Sequence, residues 1–158
     1  MIAIRTFLFP GLLAAMGFAA PAHAADAAVE KRLEALGMKP STDEDGDYRV
    51  VYDYSGEGRT QLVYVAGRTL LVKGQEVRKI FSPAAVLSAG KVTGEVALEL
   101  LGESGSSAYG GWEVRSGVLF YAIEVPEPLT AAQLKTAMDI CAELADNKEL
   151  ELSGDDAL

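Results

Sequence analysis

Trp112-Glu113-Val114-Arg115-Ser116-Gly117-Val118-Leu119-Phe120-Tyr121-Ala122-Ile123-Glu124-Val125 is the stretch whose reading decides the fold. Two runs of alternating character flank Ser116-Gly117, a pair suited to a tight turn. Leu119, Tyr121 and Ile123 fall on one face of the second run, and Phe120, Ala122 and Glu124 on the other. This is the pattern of an antiparallel hairpin with inequivalent faces.

The same period recurs upstream. Tyr48, Val50, Tyr52 and Tyr54 alternate with Arg49, Val51 and Asp53, giving a strand with one aromatic face. Ser55 to Gly58 punctuates it, and in the next run Leu62, Tyr64 and Ala66 stand opposite Gln61, Val63 and Val65, with Gly67 turning the chain. Thr69 to Val72 and Glu76 to Phe81, joined by Lys73-Gly74, read as further strand, broken at Ser82-Pro83 because proline cannot donate to a ladder.

Helical signals frame these strands. Asp26 caps a short helix carrying Val29, Leu33 and Leu36, ended by Gly37 and Pro40. A second helical stretch runs from about Thr93 to Gly102, followed by a small, polar loop from Glu103 to Gly111. Thr130 with Gln133 forms a capping box opening the last helix, whose stripe is Leu134, Met138, Cys141 and Ala145. The expected order is α-β-β-β-α-β-β-α, with hairpins outnumbering crossovers. That predicts an α+β domain with a mainly antiparallel sheet and helices against a face.

The 158 residues divide into three parts: 1–24, 25–147 and an acidic, aperiodic tail at 148–158. The first has one base, Arg5, then an apolar core from Thr6 to Ala20 and the motif Ala22-His23-Ala24, as in a secretory signal peptide cut after Ala24. The apolar core is shorter than the roughly 20 residues of a spanning helix. The expectation is a domain released into the periplasm or secreted, with no membrane insertion after cleavage. Cleavage removes Arg5 and no acid, leaving 13 bases against 23 acids, a formal charge of −10. Nucleic acid is a poor partner for such a surface.

Cleavage also removes His23, the only histidine. Ser-His-Asp and Cys-His catalysis and the usual zinc, iron and copper sites go with it. Cys141 has no disulfide partner and lies on an apolar stripe, where it reads as core. The loop Asp43-Glu44-Asp45-Gly46-Asp47 approaches a calcium motif, but with Gly46 sixth, Ser41 stands first and Tyr52 twelfth, where carboxylates are required. Ser104, Ser106 and Ser107 have no evident base. A carboxylate pair acting as acid and base needs no histidine, but no spacing singles one out. No catalytic residue, metal site or cofactor is assigned, and the expectation is a protein that is not an enzyme.

The segments Glu76-Val77-Arg78-Lys79-Ile80-Phe81-Ser82-Pro83, Leu100-Leu101 and Gly110-Gly111-Trp112-Glu113, followed by a Phe-containing strand and a Thr-initiated helix, resemble the YbjN domain family, described as bacterial sensory transduction regulators. The resemblance spans about residues 27 to 147. It implies the fold of type III secretion chaperones, which bind polypeptide in extended form, and hence a protein-binding or regulatory module, with a homodimer being what related folds imply. The candidate binding residues are the aromatics Trp112, Tyr64, Tyr52, Tyr54 and Phe81. They are either core beneath helices or an exposed groove anchored by Trp112 beside a free strand edge. A small-ligand or weak calcium-binding protein is the alternative.

Overall fold

The computed structural model describes residues 26–54, 56 and 58–154. The expected signal peptide and its cleavage point, and the end of the tail, lie outside the described residues. Among the described residues no helix is long and apolar enough to cross a membrane.

The chain is α+β. Helix α1 (Ala27–Ala35) is followed by strands β1 (Ser41–Thr42), β2 (Tyr48–Tyr54), β3 (Arg59–Val72) and β4 (Gln75–Val86), a 3-10 turn at Leu87–Ala89, α2 (Gly94–Ser106), β5 (Gly111–Arg115), β6 (Val118–Pro126) and α3 (Ala131–Ser153). The six strands form one antiparallel sheet ordered β1-β2-β3-β4-β6-β5. The expected layout holds, with the two-residue β1 added inside the segment read as an acidic turn. The hairpin at Ser116-Gly117 turns with both residues at positive φ (51° and 79°), the geometry that matches strand twist.

All helical packing is on one face. α3 lies across β3, β4 and β6, α1 packs against α3, and α2 rests on the edge strand β5. The predicted stripe of α3 is fully buried: Leu134, Met138, Cys141 and Ala145 meet Tyr48, Val50, Val63, Val65, Ile80, Tyr121 and Ile123 from the sheet. The alternation in β2 and β3 is therefore explained by burial under this layer. The capping box is present in full, with Thr130 accepting from Gln133 N and the Gln133 side chain accepting from Thr130 N.

Four boundaries differ from the sequence expectation. First, β4 passes straight through Ser82-Pro83. Continuing the Tyr64↔Phe81 register by two residues sets Leu62 opposite Pro83, which has no N–H. Ser82 Oγ donates to Leu62 O at 2.6 Å instead, and Gln61 Nε2 donates to Pro83 O at 2.7 Å. Side chains thus replace the missing ladder bonds, and a register shift between Pro83 and Ala85 absorbs the rest.

Second, Gly67 lies within β3, at an irregularity between Val65 and Thr69. A Cβ there would stand 2.1 Å from Gly46 O, so the glycine permits the 43–47 turn to close on the strand. Third, α2 continues to Ser106, four residues past the expected end; Ser104 Oγ donates to Leu100 O and Ser106 Oγ to Glu103 O. Fourth, the expected tail from 148 is helical through Ser153. Lys148 is buried and bridges to Glu103 of α2 at 2.9 Å, while Leu152 packs on the core. Lys148, one of the charges that resemble a solvated tail in sequence, ties α3 to α2.

At the end of the sheet near α1, Arg78 of β4 is 2% exposed. Its Nε donates to Glu127, Nη1 to Ala66 O at 2.5 Å and Nη2 to Asp26 at 2.5 Å. Glu127 also accepts from Arg32 (3.2 Å) and from Leu129 N (2.6 Å). Burial works to raise the Glu127 carboxyl, but the hydrogen bonds from Arg78 and Leu129 and the two guanidinium charges outweigh it and hold the group below its ordinary range. For Asp26, too, burial is outweighed, by the Ala28 amide and Arg78.

Two predictions follow from this packing. Arg78→Ala strands the buried Glu127 and should cost about 3–5 kcal/mol in urea unfolding. Because the folded carboxyls titrate below their unfolded values of about 4, the stability they contribute is full above that pH and is lost as pH falls through the depressed folded values. The urea midpoint of the wild type should drop there, and the drop should be smaller in Arg78→Ala, where the Leu129 and Ala28 amides and Arg32 still lower the two carboxyls. Separately, Gly67→Ala should lower stability by about 1–3 kcal/mol in thermal unfolding, since backbone must move to admit the methyl group.

Candidate functional site

The helices leave the opposite sheet face open, and cross-strand register decides what gathers on it. Arg49, Val51 and Asp53 of β2 stand beside Tyr64, Leu62 and Thr60 of β3; Tyr64 stands beside Phe81 of β4, and Phe81 beside Ala122 of β6. Tyr64 and Phe81 stack with ring centroids 4.9 Å apart and planes 3° from parallel, and Phe120 meets Phe81 edge-on at 5.5 Å. The Arg115 guanidinium lies 4.1 Å over the Phe81 ring. Among the described residues no helix shields Phe81, yet it is 3% exposed, because its neighbours and Arg115 cover it. Val51 at the margin of this strip is 64% exposed.

The five sequence candidates therefore do not form one site. Tyr64 and Phe81 belong to the open face. Tyr52, Tyr54 and Trp112 belong to the helix-covered face, where Tyr52 Oη donates to Asp139 of α3 at 2.9 Å and Tyr54 lies under Arg59 at 5.6 Å. Burial and the Asp139 hydrogen bond push the Tyr52 hydroxyl well above the usual phenol range. Trp112 is half-buried, edge-on to Tyr121 at 5.0 Å, and its Nε1 donates to Glu103 at 2.7 Å. It anchors α2 to the sheet instead of presenting a free ring. Arg115 is not legible in the sequence as a member of this strip, because its approach to Phe81 crosses from β5 over β6 to β4. Phe120 was visible as an aromatic, but not its partners.

The two sheet edges differ. At β5 the outward Trp112 N–H donates to Ser104 Oγ at 2.8 Å, and α2 lies alongside. At the other end β1 pairs only with Tyr48 and Arg49, so Val50–Tyr54 of β2 has no strand partner on its outer side among the described residues. An unpaired edge offers alternating N–H and C=O groups to another chain. A groove of about 350 Å³ follows this edge, lined by Met38, Lys39 and Ser41 on one side and Arg49, Val51 and Tyr52 on the other.

The acidic loop and the serines singled out in the sequence are engaged by other groups. Asp43 accepts from the amides of Asp45 and Asp47, and Asp47 accepts from Gly67 N, so the acidic loop is organised by its own backbone. Among the described residues no cluster of three or more His, Cys, Asp or Glu is arranged to hold a metal. Ser104, Ser106 and Ser107 bond to Leu100 O, Glu103 O and the Tyr121 hydroxyl. A cleft of about 670 Å³ lies over the Arg78 cluster, and two of the carboxylates that line it, Asp26 and Glu127, are engaged by Arg78 and held below their ordinary range, the reverse of what a general acid requires. Compared with known proteins, the chain matches no family model and no curated protein.

Burial raises the Cys141 thiol far above its ordinary range. The native protein should accordingly resist a thiol-specific reagent such as a disulfide dye over hours at pH 8, and react stoichiometrically once unfolded in urea. Rapid native labelling would contradict the buried placement.

Proposed function

We propose that this domain is a non-enzymatic binding module that takes up an extended stretch of polypeptide as an added strand on β2. The observation that carries the reading is the unpaired edge Val50–Tyr54 beside a groove, on a sheet whose other edge is guarded by α2. Main-chain hydrogen bonds would supply affinity without demanding a sequence, and the exposed Val51 beside Leu62 and Tyr64 would receive apolar side chains of the guest. The resemblance to the YbjN family and to type III secretion chaperones points the same way, since those chaperones hold extended polypeptide. The signal-peptide pattern of residues 1–24 supports a role in the periplasm or outside the cell, with envelope or exported proteins as the guests.

Hydrogen–deuterium exchange tests the reading. With a reduced, carboxymethylated model polypeptide as guest, amides in Val50–Tyr54 should slow by about tenfold or more, while β5 stays unchanged. Binding that leaves the β2 amides untouched would overturn strand addition.

A further inference from the structure

We infer that the open sheet face carries a second site, independent of the β2 edge: a small pocket beside Phe81 that takes a carboxylate borne on an apolar group, held by Arg115. A short-chain free acid and the C-terminus of a polypeptide both present this chemistry. The pocket lies over β3 and β4, on the side of the sheet away from the helices, and measures about 330 Å³. That volume is at the low end for ligand sites and suits a ligand of few heavy atoms.

Arg115 is the group on which the site depends. Its guanidinium lies 4.1 Å from the centroid of the Phe81 ring and 5.1 Å from that of Phe120. These contacts position the charge without neutralising it, because a ring offers its π face and no carboxylate. Arg59, Arg78 and Lys148 are bridged to carboxylates, whereas Arg115 has neither an ion pair nor a hydrogen-bond acceptor among the described residues. The N–H donors of a guanidinium lie in its own plane, at the edge, where they can grip both oxygens of a carboxylate. A surface arginine free to rotate would have to be ordered on binding, but here two rings already hold the side chain.

The rest of the lining fits an acid with an apolar body. Arg68 and Lys79 add two cations to the wall; Lys79 is bridged to Glu113 and Glu124, neither of which lines the pocket. Ala66 and the 57% exposed Leu70 give the wall an apolar stretch. Asp47 is the one carboxylate in the lining, and it is engaged by the backbone, accepting from Gly67 N at 3.0 Å. Three cations against one anion make a locally positive spot on a protein of net charge −9.

Amide shifts in NMR titrations test this, with hexanoate, its neutral analogue hexanamide and acetyl-leucine as probes. Hexanoate should shift Gly67, Arg68, Leu70 and Arg115 and bind about tenfold tighter than hexanamide. Arg115→Gln should lose that advantage. Asp47→Asn, which removes the opposing charge and keeps an acceptor for Gly67 N, should tighten hexanoate by about threefold, a gain that misfolding cannot produce. Acetyl-leucine binding above hexanoate would assign the site to chain termini, and the reverse order to free acids. The site is overturned if hexanamide binds as tightly as hexanoate, if Arg115→Gln leaves binding undiminished, if Asp47→Asn brings no gain, or if no probe gives a saturable shift at millimolar concentrations. Strand addition on β2 stands or falls separately, on its own exchange experiment.

Discussion

The helical layer is registered on the sheet through one buried cation. Arg78 reaches from near the start of β4 to the N-cap of α1, to the irregular segment of β3 at Ala66 and to Glu127 ahead of α3. A guanidinium out of water is costly unless every donor is satisfied, so the three elements that satisfy it must meet at one place. Asp26 serves twice, since its other oxygen caps the first turn of α1 by accepting from Ala28 N. Glu127 likewise accepts Arg32 from α1 and the Leu129 amide that leads into α3. The hydrophobic layer supplies the driving force for packing α1 and α3, and this cluster specifies where they sit.

That placement has a consequence for the rest of the sheet. With α1 and α3 committed to one face, the other must manage its apolar residues alone. It does so by lateral stacking of Tyr64, Phe81 and Phe120 beneath Arg115, and by the Lys79 bridges to Glu113 and Glu124. The Tyr64 and Phe120 rings and the Arg115 guanidinium flank and cover Phe81, which explains how it is buried without a helix above it. The protection fades toward β2, where Val51 is open to solvent and the strand edge is free.

Much of the fold was legible in the residues. Period two in β2, β3 and β6, the apolar stripe of α3, the capping box at Thr130 and the Ser116-Gly117 turn were all readable, because each is a relation among residues a few positions apart. The candidate site was legible only in its residue types. Five aromatics could be named, but Tyr64 and Phe81 share a face with Phe120 and not with Trp112 because of how β3, β4, β6 and β5 pair across the sheet. Register is a non-local choice, and the irregularities after Val65 and Pro83 shift it further.

The sequence by itself determined the elements, their order and which residues of each strand alternate, since these follow from the fixed periods of helix and strand and from local capping chemistry. Only the tertiary structure decided that Pro83 could remain inside β4, that the acidic C-terminal stretch continues as helix, and that Arg78 is the buried hub. Each depends on a partner distant in the chain: Gln61 and Leu62 for the proline segment, Glu103 for Lys148, Asp26 and Glu127 for the arginine. The free edge of β2 belongs to the same class, because a strand is an edge only by virtue of where every other strand has gone.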